Sequence, residues 1–166
     1  MENKKDIRSL SQNEITDVFK SLNEPAFRAK QVYQWLWQKC AVSFEEMTNL
    51  SKDLRSKLET NFEITPVIIS EMQVSNDRTI KCAMKLNDEK IVESVLIPTD
   101  TRMTVCISSQ VGCSLTCTFC ATGKLKRLRN LTAGEIYDQV ALVKKLSEEK
   151  YGQPLSNIVY MGMSEP

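Results

Sequence analysis

A chain of 166 residues, 42% hydrophobic and 26% charged, suits one full domain or two small ones and reads as a soluble globular protein. A net charge of +1 gives no overall argument for nucleic acid. No apolar run is long enough to span a membrane, and the polar start Met1-Glu2-Asn3-Lys4-Lys5 is unlike a signal peptide. The expected compartment is the cytoplasm, where clustered cysteines are more often metal ligands than disulfides.

Residues 1–60 read as a small helical domain. Ser11-x-x-Glu14 forms a capping box that opens a helix with Ile15, Val18, Phe19 and Leu22 on one face. A second helix carries Ala29, Val32, Tyr33, Leu36 and Cys40, a short third opens at Ser43-x-x-Glu46, and Leu50, Leu54 and Leu58 stripe a fourth. Trp35 and Trp37 cannot both lie on the core stripe, so one is expected to be partly exposed, either packing on another domain or stacking on a base.

Residues 61–100 change to a strand pattern. Val67 to Val74, Thr79 to Leu86 and Lys90 to Ile97 are separated by Ser75-Asn76-Asp77 and Asn87-Asp88, which predicts an antiparallel meander. From residue 101 the order is a strand from Met103 to Ser108, a cysteine loop, a helix capped by Thr132-x-x-Glu135, and an apolar strand at Ile158-Val159-Tyr160-Met161. That order predicts one βαβ unit of an α/β barrel. The fold class expected is therefore an α+β part followed by the first βαβ unit of an incomplete barrel over 101–166. The last strand is apolar on both faces and has no further strand after it. The chain is accordingly expected to be the N-terminal part of a longer enzyme, prone to aggregate or disorder from about Gly152.

The loop holds Cys113, Cys117 and Cys120 as C-x3-C-x2-C. Three thiolates at this spacing suit three corners of a [4Fe–4S] cube, whose fourth iron stays open to a small molecule such as S-adenosylmethionine (SAM). Structural zinc prefers four ligands and often histidine, and the chain contains no histidine. Ordinary core thiols are the other alternative. Lys124, Lys126, Arg127 and Arg129 follow without an intervening acid, which is either a solvated face or a contact for RNA phosphate.

The run Cys106-Ile107-Ser108-Ser109-Gln110-Val111-Gly112-Cys113-x3-Cys117-Thr118-Phe119-Cys120-Ala121-Thr122-Gly123 resembles the RlmN/Cfr family of radical-SAM RNA methyltransferases. Pro25 to Val32 and Phe44 to Leu50 resemble that family's accessory domain. Arg129 to Ile136 resembles the stretch after its cluster, and Met161 to Pro166 its SAM-binding strand end. The resemblance implies methyl transfer to C2 of an adenosine in 23S ribosomal RNA, and in many members also in transfer RNA. It also implies a [4Fe–4S] cluster, SAM and an electron donor such as a flavodoxin.

Residue by residue, the resemblance implies that Cys113, Cys117 and Cys120 ligate the cluster and that Phe119, Ser164 and Glu165 contact SAM. It makes Glu93 the proton acceptor and Cys106 the thiol that resolves a covalent RNA intermediate by forming a disulfide. Glu93 shares a strand face with Ile91, Val95 and Ile97, where burial would raise its pKa, unless it is simply an edge glutamate reaching solvent. Thr104 and Ser108 make the Cys106 face polar, as an active-site cavity needs, although a strand cysteine can equally be a small core hydrophobe. Ser164 stands where the family usually has glycine, so its side chain is expected to crowd SAM. A second family cysteine, the methyl carrier, has no counterpart in this chain, which alone is expected to be inactive. The rival readings are a catalytically dead RNA-binding fragment and a small zinc-stabilised domain.

Overall fold

A computed structural model describes residues 4–115 and 117–163. The chain divides into two compact units, Met1–Thr65 and Pro66–Pro166.

The first unit contains β1 (Lys5–Asp6), a 3-10 turn, α1 (Gln12–Ser21), α2 (Ala26–Trp37), α3 (Lys52–Asn61) and β2 (Phe62–Glu63). The capping box forms: Ser11 Oγ accepts from the Glu14 N–H while Glu14 accepts from the Ser11 N–H at 2.7 Å. Apolar faces of the three helices meet around Phe19, Val32, Leu36, Leu54 and Leu58. Both tryptophans are half-buried against this core, with the Trp35 indole donating to Asn49 Oδ1 at 2.6 Å.

The short helix expected at Ser43 does not form. Ala41, Phe44, Met47 and Leu50 are buried at a spacing of three, and the backbone follows successive turns, with Met47 N–H donating to Phe44 and Leu50 N–H to Met47. The Glu46 carboxylate accepts from the Val42 N–H at 3.3 Å and leaves the expected capping box unmade. Cys40 likewise falls outside α2. The helix closes at Trp37, and Cys40 is exposed in the left-handed region at φ 56°.

β1 and β2 pair in parallel and bring the ends of the unit together. Arg8, almost wholly buried, is paired with Asp6 at 3.2 Å and donates to the Thr65 carbonyl at 2.8 Å. Asp6 also accepts from the Arg8 and Thr65 backbone N–H groups. Burial alone would raise the Asp6 pKa, but the hydrogen bonds from Thr65 and Arg8, with the Arg8 charge, outweigh it and hold the carboxyl below 3.8. Asp6→Ala removes the carboxylate beside a buried guanidinium and should cost about 3 kcal/mol, measured by denaturant unfolding. Because the folded pKa is depressed, the Asp6 contribution is complete above pH 3.8 and should decline as pH falls below it. Asp6→Ala should show a correspondingly smaller acid dependence.

The second unit is a mixed α/β structure with antiparallel strands. It contains β3 (Ile68–Val74), β4 (Ile80–Lys85), β5 (Ile91–Pro98), β6 (Met103–Cys106), β7 (Gln110–Val111), β8 (Arg129–Asn130), α4 (Ala133–Tyr151) and β9 (Asn157–Val159). Five strands form one sheet in the order β3-β4-β5-β6-β9, antiparallel except for the β6–β9 pair. The strands of 61–100 and those of the βαβ unit β6-α4-β9 therefore share a single sheet.

One face of the sheet packs on α4: Ile80, Cys82, Met84, Val92, Leu96, Met103, Val105 and Ile107 join Val143 and Leu146. α4 opens on the expected capping box of Thr132 and Glu135 and closes at Gly152. The last strand is shorter than the sequence suggests and is not covered on both faces. Ile158 is 51% and Met161 79% exposed.

Candidate functional site

The loop that carries the three cysteines leaves the sheet at the end of β6. Its base is closed by the β7–β8 pairing of Gln110 with Asn130 and Val111 with Arg129. Leu131 N–H donates to the Ser109 carbonyl, and Leu128 N–H to that of Val111, both at 2.8 Å. These two short strands have no apolar alternation, so nothing in the sequence marked them.

Gly112 makes that closure possible. It lies at φ +76°, and a Cβ there would run into the Lys126 carbonyl. Gly112→Ala should cost about 1–3 kcal/mol and open the loop base, detected as lower thermal stability and faster alkylation of Cys113.

Cys113, Cys117 and Cys120 are all half-buried, and none is in a disulfide. The Leu115 N–H donates to Cys113 Sγ at 3.4 Å. Backbone N–H groups of Gly123 and Thr122 hold the Cys120 thiol below the ordinary cysteine range. Among the described residues, no three His, Cys, Asp or Glu side chains are gathered closely enough to hold a metal ion. As a donor set the three thiols fit an iron–sulfur cluster, and holding one requires the loop to draw their sulfurs together. Phe119 stands 92% exposed at the same loop. Ser164 and Glu165 lie outside the described residues.

Cys106 and Glu93 occupy the sheet face opposite α4. The register pairs Val95 with Cys106, which puts Glu93, Val95 and Cys106 on one side. Cys106 is buried there. Burial pushes its thiol pKa up, with a smaller opposing hydrogen bond from the Met161 N–H. Glu93 is not buried as its apolar neighbours suggested. Its side chain is 49% exposed and paired with Lys81 at 3.1 Å, because Ile91 and Ile97 on the same face are themselves exposed. Lys81, on β4, was not legible as a partner until the register was known. With iodoacetamide at neutral pH, Cys120 should be labelled well before Cys106 or Cys82, followed by peptide mass spectrometry.

The basic run divides. Lys124, Lys126 and Arg127 are exposed. Arg129 is instead held by Glu135 at 2.8 Å and Asp88 at 2.9 Å, contacts that push its pKa above the ordinary arginine value.

A polar network that the sequence did not single out lies beneath the loop. Gln139, fully buried, accepts from Ser94 Oγ at 2.9 Å and the Ser108 N–H at 3.0 Å, and donates to the Ser108 and Glu135 carbonyls. A glutamine within the stripe Ile136, Val140, Val143 and Leu146 was the available signal. Ser108 Oγ donates to the Glu93 carbonyl at 2.7 Å and accepts from the Met163 N–H at 2.8 Å.

Comparison with known proteins places this architecture among the radical-SAM methyltransferases. The structure is similar to one from Sphaerobacter thermophilus, described as a radical SAM methyltransferase, with a TM-score of 0.83 and 38% identity over 98% of this chain and 48% of that one. Residues 5–64 match the family model described as the ribosomal RNA large subunit methyltransferase N-terminal domain. Proteins named "Probable dual-specificity RNA methyltransferase RlmN" are 63% identical in Cytophaga hutchinsonii and 58% in Flavobacterium johnsoniae. Each alignment covers 98% of this chain, and 45% and 47% of those proteins respectively. These likenesses, which run over nearly the whole chain, group it with the RlmN family. The chain spans about half the length of the curated relatives it matches. Among the described residues, no helix is long and apolar enough to cross a membrane.

Proposed function

We propose that this chain forms the cofactor-binding part of a cytoplasmic radical-SAM methyltransferase that modifies C2 of adenosine in 23S ribosomal RNA and in transfer RNA. The observation that carries the reading is the C-x3-C-x2-C loop at the end of β6 in a βαβ unit whose sequence aligns throughout with RlmN proteins. We take that unit as the first of an α/β barrel.

Cys113, Cys117 and Cys120 would hold the cluster, with Phe119, Ser164 and Glu165 beside SAM. The cluster, when bound, would supply one-electron reduction of SAM, with the electron coming from a donor such as a flavodoxin. Glu93 would take the proton lost from adenine C2, with Lys81 orienting its carboxylate. Cys106 would serve in product release, its thiol kept protonated by burial until a base reaches it. The exposed Lys124, Lys126 and Arg127 suit contact with RNA phosphate.

Anaerobic reconstitution with iron and sulfide should give brown protein with about four irons per chain, and Cys117→Ala should abolish the colour. Stoichiometric zinc without cluster uptake would sink the proposal. For the reaction itself, the full-length protein with SAM, reductant and unmodified ribosomal RNA should yield 2-methyladenosine by mass spectrometry, and Glu93→Gln should lower the yield by about 100-fold.

A further inference from the structure

The segment after β9 is fastened to the chain leaving β6 by a closely fitted set of contacts. The Gly162 N–H donates to the Ile107 carbonyl at 3.0 Å, the Met163 N–H to Ser108 Oγ at 2.8 Å, and the Gln110 N–H to the Met163 carbonyl at 3.2 Å. Gly162 permits the approach, since a Cβ there would lie 2.7 Å from both the Ile107 carbonyl oxygen and Ser108 Oγ. Ser108 is fully buried, and its N–H and its carbonyl are both hydrogen-bonded to the Gln139 amide. Its hydroxyl is fully used, donating to Glu93 and accepting from Met163. A serine that merely filled space would need none of this, and alanine would fit the same volume.

We propose that Ser108, fixed by Gln139, is a positioning residue that holds the strand end at Met163 in register with the root of the cysteine loop. Two segments would then present their ligands to one SAM molecule as a preset pair. The inference rests on the SAM-binding reading above and adds a residue that does not itself touch the cofactor. Pre-setting two ligand segments raises affinity by removing the cost of ordering them on binding.

The test compares Ser108→Ala with Ser94→Ala in the full-length protein. Each removes a buried hydroxyl bonded within the same network, but only Ser108 reaches Met163. Cluster content, SAM affinity by calorimetry, and hydrogen exchange at the Met163 amide are measured on each. The expected result is unchanged iron content in both variants. Ser108→Ala alone should show faster Met163 exchange and SAM binding weakened about tenfold. Gly162→Ala disturbs the clasp from the other strand and should give the same pattern, which covers failure of Ser108→Ala to fold. Equal losses of SAM affinity in the Ser94 and Ser108 variants, or unchanged Met163 exchange in Ser108→Ala, would overturn the inference and leave the parent reading intact. A wild-type protein that takes up the cluster yet binds no SAM would overturn both, and is recognised before any variant is made.

Discussion

A strand that ends within a buried region leaves peptide groups that must find partners, and at the end of β6 one side-chain amide provides them. Gln139 answers both the N–H and the carbonyl of Ser108 from the buried side of α4. An unsatisfied peptide group there would cost about 1–3 kcal/mol, comparable with the loss of a core methyl cluster. The amide therefore decides where the chain turns out of the sheet. Everything in the cysteine loop is positioned from that point: the β7–β8 closure, the left-handed turn at Gly112, and the half-buried thiols beyond it.

The first unit is organised by a different constraint. Its helices bury an ordinary apolar core, but its ends are joined by polar groups. Arg8, Asp6 and Thr65 exchange hydrogen bonds across the short parallel β1–β2 pair. A two-residue ladder is too small to hold by itself. The buried guanidinium supplies the missing constraint, since it can be desolvated only while the Asp6 carboxylate and the Thr65 carbonyl remain beside it. Specific closure of the unit thus depends on polar partners, while its cohesion comes from Phe19, Val32 and Leu54.

These two constraints explain which parts of the molecule were legible in the sequence. Capping boxes at Ser11 and Thr132 and the alternation of β4 to β6 are local signals, and they appear as read. The segment from Ala41 to Leu50 misled because a capping-box spacing is satisfied equally by turns whose buried residues recur every third position. Glu93 misled because apolar neighbours on a strand imply burial only if something covers that face, and Ile91 and Ile97 are exposed here. The three cysteines were conspicuous by spacing. Lys81, Ser108 and Gln139 were not, because their partners lie on other strands and only the register brings them together.

The exposed face of the sheet then has a simple physical reading. A half-exposed ion pair such as Lys81–Glu93 adds little to stability, so its placement needs another reason than holding the fold. Strand register sets Glu93 and Cys106 on the same face of adjacent strands, and Ser108 ties the Glu93 backbone to the point where the cysteine loop departs. A carboxylate kept accessible, a thiol kept protonated by burial, and three further thiols on the adjoining loop are thereby gathered at one end of one sheet. The opposite face, packed on α4, takes no part beyond supplying Gln139 and rigidity. Polar groups on one side and packing on the other leave residues such as Glu93 reachable without weakening the core that holds them in place.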